Sequence, residues 1–282
     1  MNIVEKPVPT IDEVSRLTGV SPATRRDRLV PACEFVSLEG EDYCRIGAVE
    51  SLPPFLMNLP TDTDLWMFIS STGGLTAGRR DPDGALFPYE TVDRLHDAHC
   101  HTGPITVVRW QRRGSAPLVW EPLAPVEIAG RAVERSLSKS TLGNRLVFEE
   151  INHEAGLAFR YRWAGSDETG WVRTATLTNA GREPVDITLL DGLRNVLPSG
   201  APLALYQRSS CLVDAYKRVD VDPESRLGIF SLTARISDRP EPAEELRAST
   251  VWCCGLPDFR VALSQDALQA FQIGRASCRE RV

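Results

Sequence analysis

Alternation is the feature that most limits what this chain can fold into. In Ala158-Phe159-Arg160-Tyr161-Arg162-Trp163 successive side chains of an extended strand point to opposite faces. Phe159, Tyr161 and Trp163 therefore share one side, and Arg160 and Arg162 the other. A turn cluster from Ser166 to Gly170 follows, and Trp171 to Leu177 then resumes a strand-like run, which predicts a hairpin of an antiparallel sheet. Similar short runs fill Leu65–Ser70, Ile105–Trp110, Leu146–Ile151 and Val185–Leu190. Turn formers separate them, as at Arg80 to Gly84 and Asn179 to Gly181. Many such units without long helices between them predict a mainly β fold, a large antiparallel two-sheet supersandwich rather than a βαβ sheet.

The first residues read differently. Thr10 with Glu13 three positions on is a capping-box pattern for a short helix from Ile11, Gly19 could end it, and Ser21-Pro22 is a second helix-start signal. The expected organisation is an N-terminal helical and loop segment over 1–60 and a β-supersandwich domain over 61–272, truncated at its C-terminal end. The last ten residues, IGRASCRERV (273–282), carry three arginines and one glutamate without apolar periodicity. They resemble the translation of a sequencing adapter, so the expectation is that the natural reading frame runs on beyond Gln272.

Composition excludes several classes. The longest apolar run, Leu65 to Ile69, is five residues, against the ~20 needed to span a bilayer. The N-terminus has no basic stretch leading into an apolar one, so no secretory signal is read there. Seven cysteines without a CxxC pair read as reduced thiols of a cytoplasmic protein. A net charge of −6 is the wrong sign for a whole-surface nucleic-acid partner, and no membrane partner is expected.

Candidate chemistry is sparse. His96-Asp97-Ala98-His99-Cys100-His101 concentrates imidazoles and a thiol, yet no second ligand pair accompanies it, so no metal is expected. Neither a GxSxG elbow nor a GxxxxGK[ST] loop occurs. Glu149 and Glu150 would point to opposite faces of a strand and cannot flank one bond. No catalytic residue is assigned. Sugar contact needs aromatic faces for pyranose C–H groups and polar partners for hydroxyls. Arg79, Arg80 and Asp81 followed by Phe87-Pro88-Tyr89 offer that mix, so Arg79, Arg80, Asp81 and Tyr89 are the candidate substrate-binding residues; the competing reading is a purely architectural turn. Trp66, Trp110, Trp163 and Trp171 sit in strand-like runs and are expected in the core.

Five segments carry a family resemblance: DLWMFISSTGGLTAGR (64–79), LFPYETVD (86–93), FEEIN (148–152), LLDGLRNVLP (189–198) and LGIFSL (227–232). They are similar to the N-terminal region of cellobiose-phosphorylase-like carbohydrate-active proteins. The resemblance implies a β-supersandwich preceding an (α/α)6 barrel that carries the catalytic acid, an oligosaccharide substrate, and inorganic phosphate as co-substrate if the parent is a phosphorylase. No other cofactor is implied. It also implies that the supersandwich aids homodimerisation and that this chain alone, without its C-terminal catalytic domain, is inactive. One alternative is a stand-alone carbohydrate-binding or mutarotase-like module. Another rests on Thr10 to Leu29, which resembles a bacterial repressor helix-turn-helix with Arg25 and Arg26 placed to meet DNA, ahead of a β sensor domain.

Overall fold

The computed structural model describes residues 31–124, 133–237 and 246–273. In chain order the strands are β1 Ala32–Leu38, β2 Glu41–Gly47, β3 Leu56–Leu59, β4 Leu65–Ser70 and β5 Leu75–Arg79. Next come β6 Gly103–Gln111, β7 Leu118–Trp120, β8 Val133–Ser140, β9 Arg145–Asn152 and β10 Leu157–Ser166. The last are β11 Gly170–Asn179, β12 Asp186–Arg194, β13 Lys217–Val221, β14 Gly228–Leu232 and β15 Ala248–Val251. Among the described residues helices are few: a single turn, α1 Val92–Leu95, then α2 Leu203–Tyr216 and α3 Gln265–Gln272. The fold is mainly β, as the alternation predicted, and its strands form antiparallel sheets. No helix among the described residues is long and apolar enough to cross a membrane.

Two compact units share the chain. One holds the stretch up to Pro53 together with Val108–Leu189, the other Pro54–Val107 together with the stretch from Leu190 on. The first unit is built on a six-stranded sheet in the order β1-β2-β8-β9-β10-β11. Strands therefore begin at Ala32, inside the stretch 1–60 read as helical or loop. The hairpin β1–β2 turns on Glu39 (φ 53°) and Gly40 (φ 83°), both left-handed, as a two-residue turn between strands requires. Glutamate is an unusual choice at such a position, which hid the hairpin from a reading by turn residues. The helices predicted from Ile11 and from Ser21-Pro22 lie outside the described residues, as do positions 274–282.

Within this unit Phe159, Tyr161 and Trp163 are 1%, 3% and 1% exposed, the face their alternation assigned. Phe148 lies directly opposite Tyr161 in the β9–β10 ladder, and the rings stack at 4.9 Å. Such a pair contributes about 1 kcal/mol beyond the area it buries. The Arg173 guanidinium sits 4.7 Å from the centre of the Tyr161 ring, a cation–π contact that closes the sheet's edge over the core. The opposite face is polar. Glu149 accepts from Arg160 Nε at 2.7 Å and from Arg45 Nη2 at 3.2 Å. Glu150, one residue on, points the other way and is 1% exposed, so the two carboxylates do lie on opposite faces.

A neighbouring carboxyl is less well served. Glu50 sits in a 3-10 turn, Val49–Ser51, and its Oε2 is buried without a hydrogen-bond partner among the described residues. Burial pushes its carboxyl above the ordinary range, with the charges of Glu134 and Glu150 adding to the effect. A carboxyl raised in the fold opposes folding once ionised, so its cost appears as pH rises above the unfolded value and is absent below it. Glu50→Gln is expected to raise Tm at pH 7 and to give no advantage near pH ~4; paired thermal melts check this.

In the second unit, β3-β4-β5 and β13-β14-β15 are three-stranded sheets. Leu65, Met67 and Ile69 of β4 bury one face with Leu59, Leu75 and Ala77. A separate small core gathers Ala201, Val213 and Leu232 against Leu205, Tyr206 and Tyr216. A third three-stranded sheet has the order β12-β6-β7.

Candidate functional site

Of the four residues assigned from sequence, two arginines are placed by the end of β5. Leu65 pairs with Arg79 across β4–β5, which sets Arg79 beside Asp64. Its Nε and Nη2 donate to Asp64 Oδ1 at 3.0 and 2.7 Å. Arg80 adopts a left-handed backbone (φ 62°), turns the chain, and lies 3.6 Å from Asp64 Oδ2 through its own Nε. The hydrogen bonds from Arg79 hold the Asp64 carboxyl below the usual carboxylate range, and both guanidinium charges reinforce this. Both arginine side chains are more than half exposed. The signal for Asp64 is the register itself, because Leu65 opposite Arg79 sets Asp64, the residue before β4, opposite Arg80 and diagonal to Arg79.

Asp81 has an architectural role. Its Oδ1 accepts from the backbone N–H groups of Asp83 and Gly84 at 3.0 and 3.2 Å and so caps the 3-10 turn Pro82–Gly84. Asp83 in turn accepts from the Leu203 N–H at 2.8 Å, where α2 begins.

Tyr89 is 40% exposed and meets Trp66 edge to face, with ring centres 6.0 Å apart. Trp66 also touches Phe68 at 6.3 Å, and Phe68 is 42% exposed. Trp110 and Trp163 are buried at 7% and 1%, as expected of core residues. Trp66 is not among the core residues: it belongs to a half-exposed aromatic cluster on the second face of β4. The physical reason is Gly78, directly opposite on β5, over which the indole lies so closely that a Cβ there would come within 2.5 Å of Trp66 Cζ2. The signal was present, since β4 is apolar at Leu65, Met67 and Ile69 and aromatic at Trp66 and Phe68 between them. A strand apolar on both faces needs a second surface. Beneath the cluster Trp66 Nε1 and Thr76 Oγ1 are buried without hydrogen-bond partners among the described residues, and Thr76 lies opposite Phe68.

The histidine cluster is tied into the fold by hydrogen bonds around His96. The stretch before it forms the helical turn α1, anchored by the buried Leu95. His96 Nδ1 is 2.8 Å from Ser70 Oγ, and Thr72 Oγ1 lies 2.8 Å from both Ser70 Oγ and the His96 carbonyl. Ser70 is fully buried, so its hydroxyl ties the helical turn to β4 and is closed to a substrate. His99 Nε2 is 3.1 Å from Cys100 Sγ. Among the described residues no three His, Cys, Asp or Glu side chains gather as a metal site.

The polar face of the first unit has a groove lined by Tyr43, Val147, Arg160, Arg162, Thr174 and Thr176. Both arginines there are engaged, Arg160 by Glu149 and Arg162 by Glu39 at the β1–β2 turn. No protein-family model matches the chain, and no curated protein matches it.

Proposed function

We propose that this chain is a non-catalytic, carbohydrate-contacting β region of a cytoplasmic enzyme that acts on glycosidic bonds of oligosaccharides by phosphorolysis or hydrolysis. One observation carries the reading: a half-exposed aromatic cluster, Trp66 and Phe68 of β4 with Tyr89 edge-on against Trp66, in a sheet whose β4–β5 end also carries the Asp64–Arg79–Arg80 charge group. Apolar ring faces match the C–H faces of pyranoses, and a carboxylate with two guanidinium groups can both accept from and donate to sugar hydroxyls. The five sequence segments point to the same class, and all four candidate binding residues, Arg79, Arg80, Asp81 and Tyr89, are exposed. On this reading the catalytic acid belongs to an (α/α)6 barrel, and the opposed Glu149 and Glu150 supply no acid–base pair.

Calorimetric titration of the chain with cello- and malto-oligosaccharides should give saturable binding to one series. Trp66→Ala and Arg79→Ala should each weaken it about tenfold, or ~1.4 kcal/mol. A flat titration across both series would remove the reading.

A further inference from the structure

We propose that Cys33 and Cys44 form a reversible oxidation site, which low-molecular-weight disulfides of the glutathione class convert into one intramolecular cross-strand disulfide. Cys33 is opposite Ile46 and Cys44 opposite Phe35 in the β1–β2 ladder, so the two cysteines are diagonal neighbours on the same face. Their Sγ atoms lie 2.9 Å apart, less than ~1 Å from the covalent separation of about 2.05 Å. Cys33 is exposed and Cys44 half-buried, and Phe35 beside them is 79% exposed, so a small oxidant can reach the pair. β1 is an edge strand and can take up the remaining movement without disturbing a strand beyond it.

Cys33 is the more exposed of the two sulfurs, so it is the one a small disulfide reaches first. Its thiolate displaces one thiol from the small disulfide and forms a mixed disulfide. Cys44, giving up its proton, then attacks the Cys33 sulfur and releases the second thiol. Two protein S–H bonds and one small-molecule S–S bond are lost; one protein S–S bond and two small-molecule S–H bonds are gained. The product closes the loop that carries Glu39 and Gly40 and fixes the turn from which Glu39 reaches Arg162.

The test is exposure of the whole chain to oxidised glutathione, followed by thiol blocking and peptide mass mapping. The tryptic peptide from Leu29 to Arg45 contains both cysteines. It should be lighter by two hydrogens, and after cleavage at Glu34, Glu39 and Glu41 its two end pieces, which carry Cys33 and Cys44, should stay joined. Reduction should restore the mass. Cys44→Ser should instead stop at a glutathione adduct on Cys33. The proposal is overturned if the wild-type chain also stops at that adduct, if Cys33 links to another cysteine or another chain, or if neither sulfur reacts.

Discussion

Glu150→Gln is expected to lower Tm by roughly 10 °C. Glu150 is 1% exposed and takes three donors: Trp120 Nε1 at 2.7 Å, the Leu123 N–H at 2.8 Å and Arg135 Nε at 2.6 Å. Arg135 also donates to the Ala124 carbonyl. Both carboxylate oxygens are therefore hydrogen-bonded, a condition under which a buried ion pair is tolerated. A carboxamide has one acceptor oxygen for three converging donors, and its NH2 group must face one of them. It also leaves Arg135, 8% exposed, without its counter-charge. Removing one partner of a buried pair costs ~3–5 kcal/mol, and each kcal/mol moves Tm by about 2–4 °C in a chain of this size. Leu123 holds a left-handed backbone (φ 62°) that aims its N–H at the carboxylate, so the segment after β7 should loosen with it. The control is Glu149→Gln: Glu149 is partly exposed and sits between Arg45 and Arg160, so its loss should cost less than half as much. Equal melting shifts in the two variants would refute the assignment. Replacing Glu150 and Arg135 together by leucine and methionine should recover only part of the loss, because the unpaired charge is gone while Trp120 Nε1, the Leu123 N–H and the Ala124 carbonyl lose their partners.

That carboxylate shows how far the sequence could be read. Period-two alternation placed Phe159, Tyr161 and Trp163 on one face and set Glu149 and Glu150 on opposite faces, because these follow from local geometry alone. The donors that meet at Glu150 come from residues 120, 123 and 135, and no local rule brings them together. The same limit explains α2. Among its residues only Val213 is fully buried, and Ser209 breaks the helical backbone (φ −149°), so the apolar stripe that would reveal a helix is too weak to see. In the candidate site Arg79, Arg80 and Tyr89 were legible as residue types. Asp64 needed the β4–β5 register, and Trp66 was misplaced because what supports it is the absence of a side chain at Gly78.

Gly78→Ala should therefore damage fold and site together. A Cβ at this position would lie 2.5 Å from Trp66 Cζ2, 2.7 Å from the Gly84 carbonyl oxygen and 2.8 Å from Ala85 Cα. Only the first of these belongs to a side chain that can move. The other two are backbone of the turn that Asp81 caps and that Gly78 bridges to Ala85, so relief requires moving the turn away from β5. Forcing an extra carbon into such a site costs ~1–3 kcal/mol. The indole must also leave its seat, which separates it from Tyr89 and exposes Nε1. The expected result is a Tm several degrees lower, red-shifted tryptophan emission, and oligosaccharide affinity reduced at least as far as in Trp66→Ala. Gly47→Ala is the matched control, since it is also a strand glycine but has no atom within 4 Å of the added carbon. It should change stability by less than ~1 kcal/mol, because at an open site alanine only restricts the unfolded chain. If Gly78→Ala melts and fluoresces like Gly47→Ala, Trp66 does not rest on this strand. The aromatic cluster then loses the support that makes it a rigid platform for sugar.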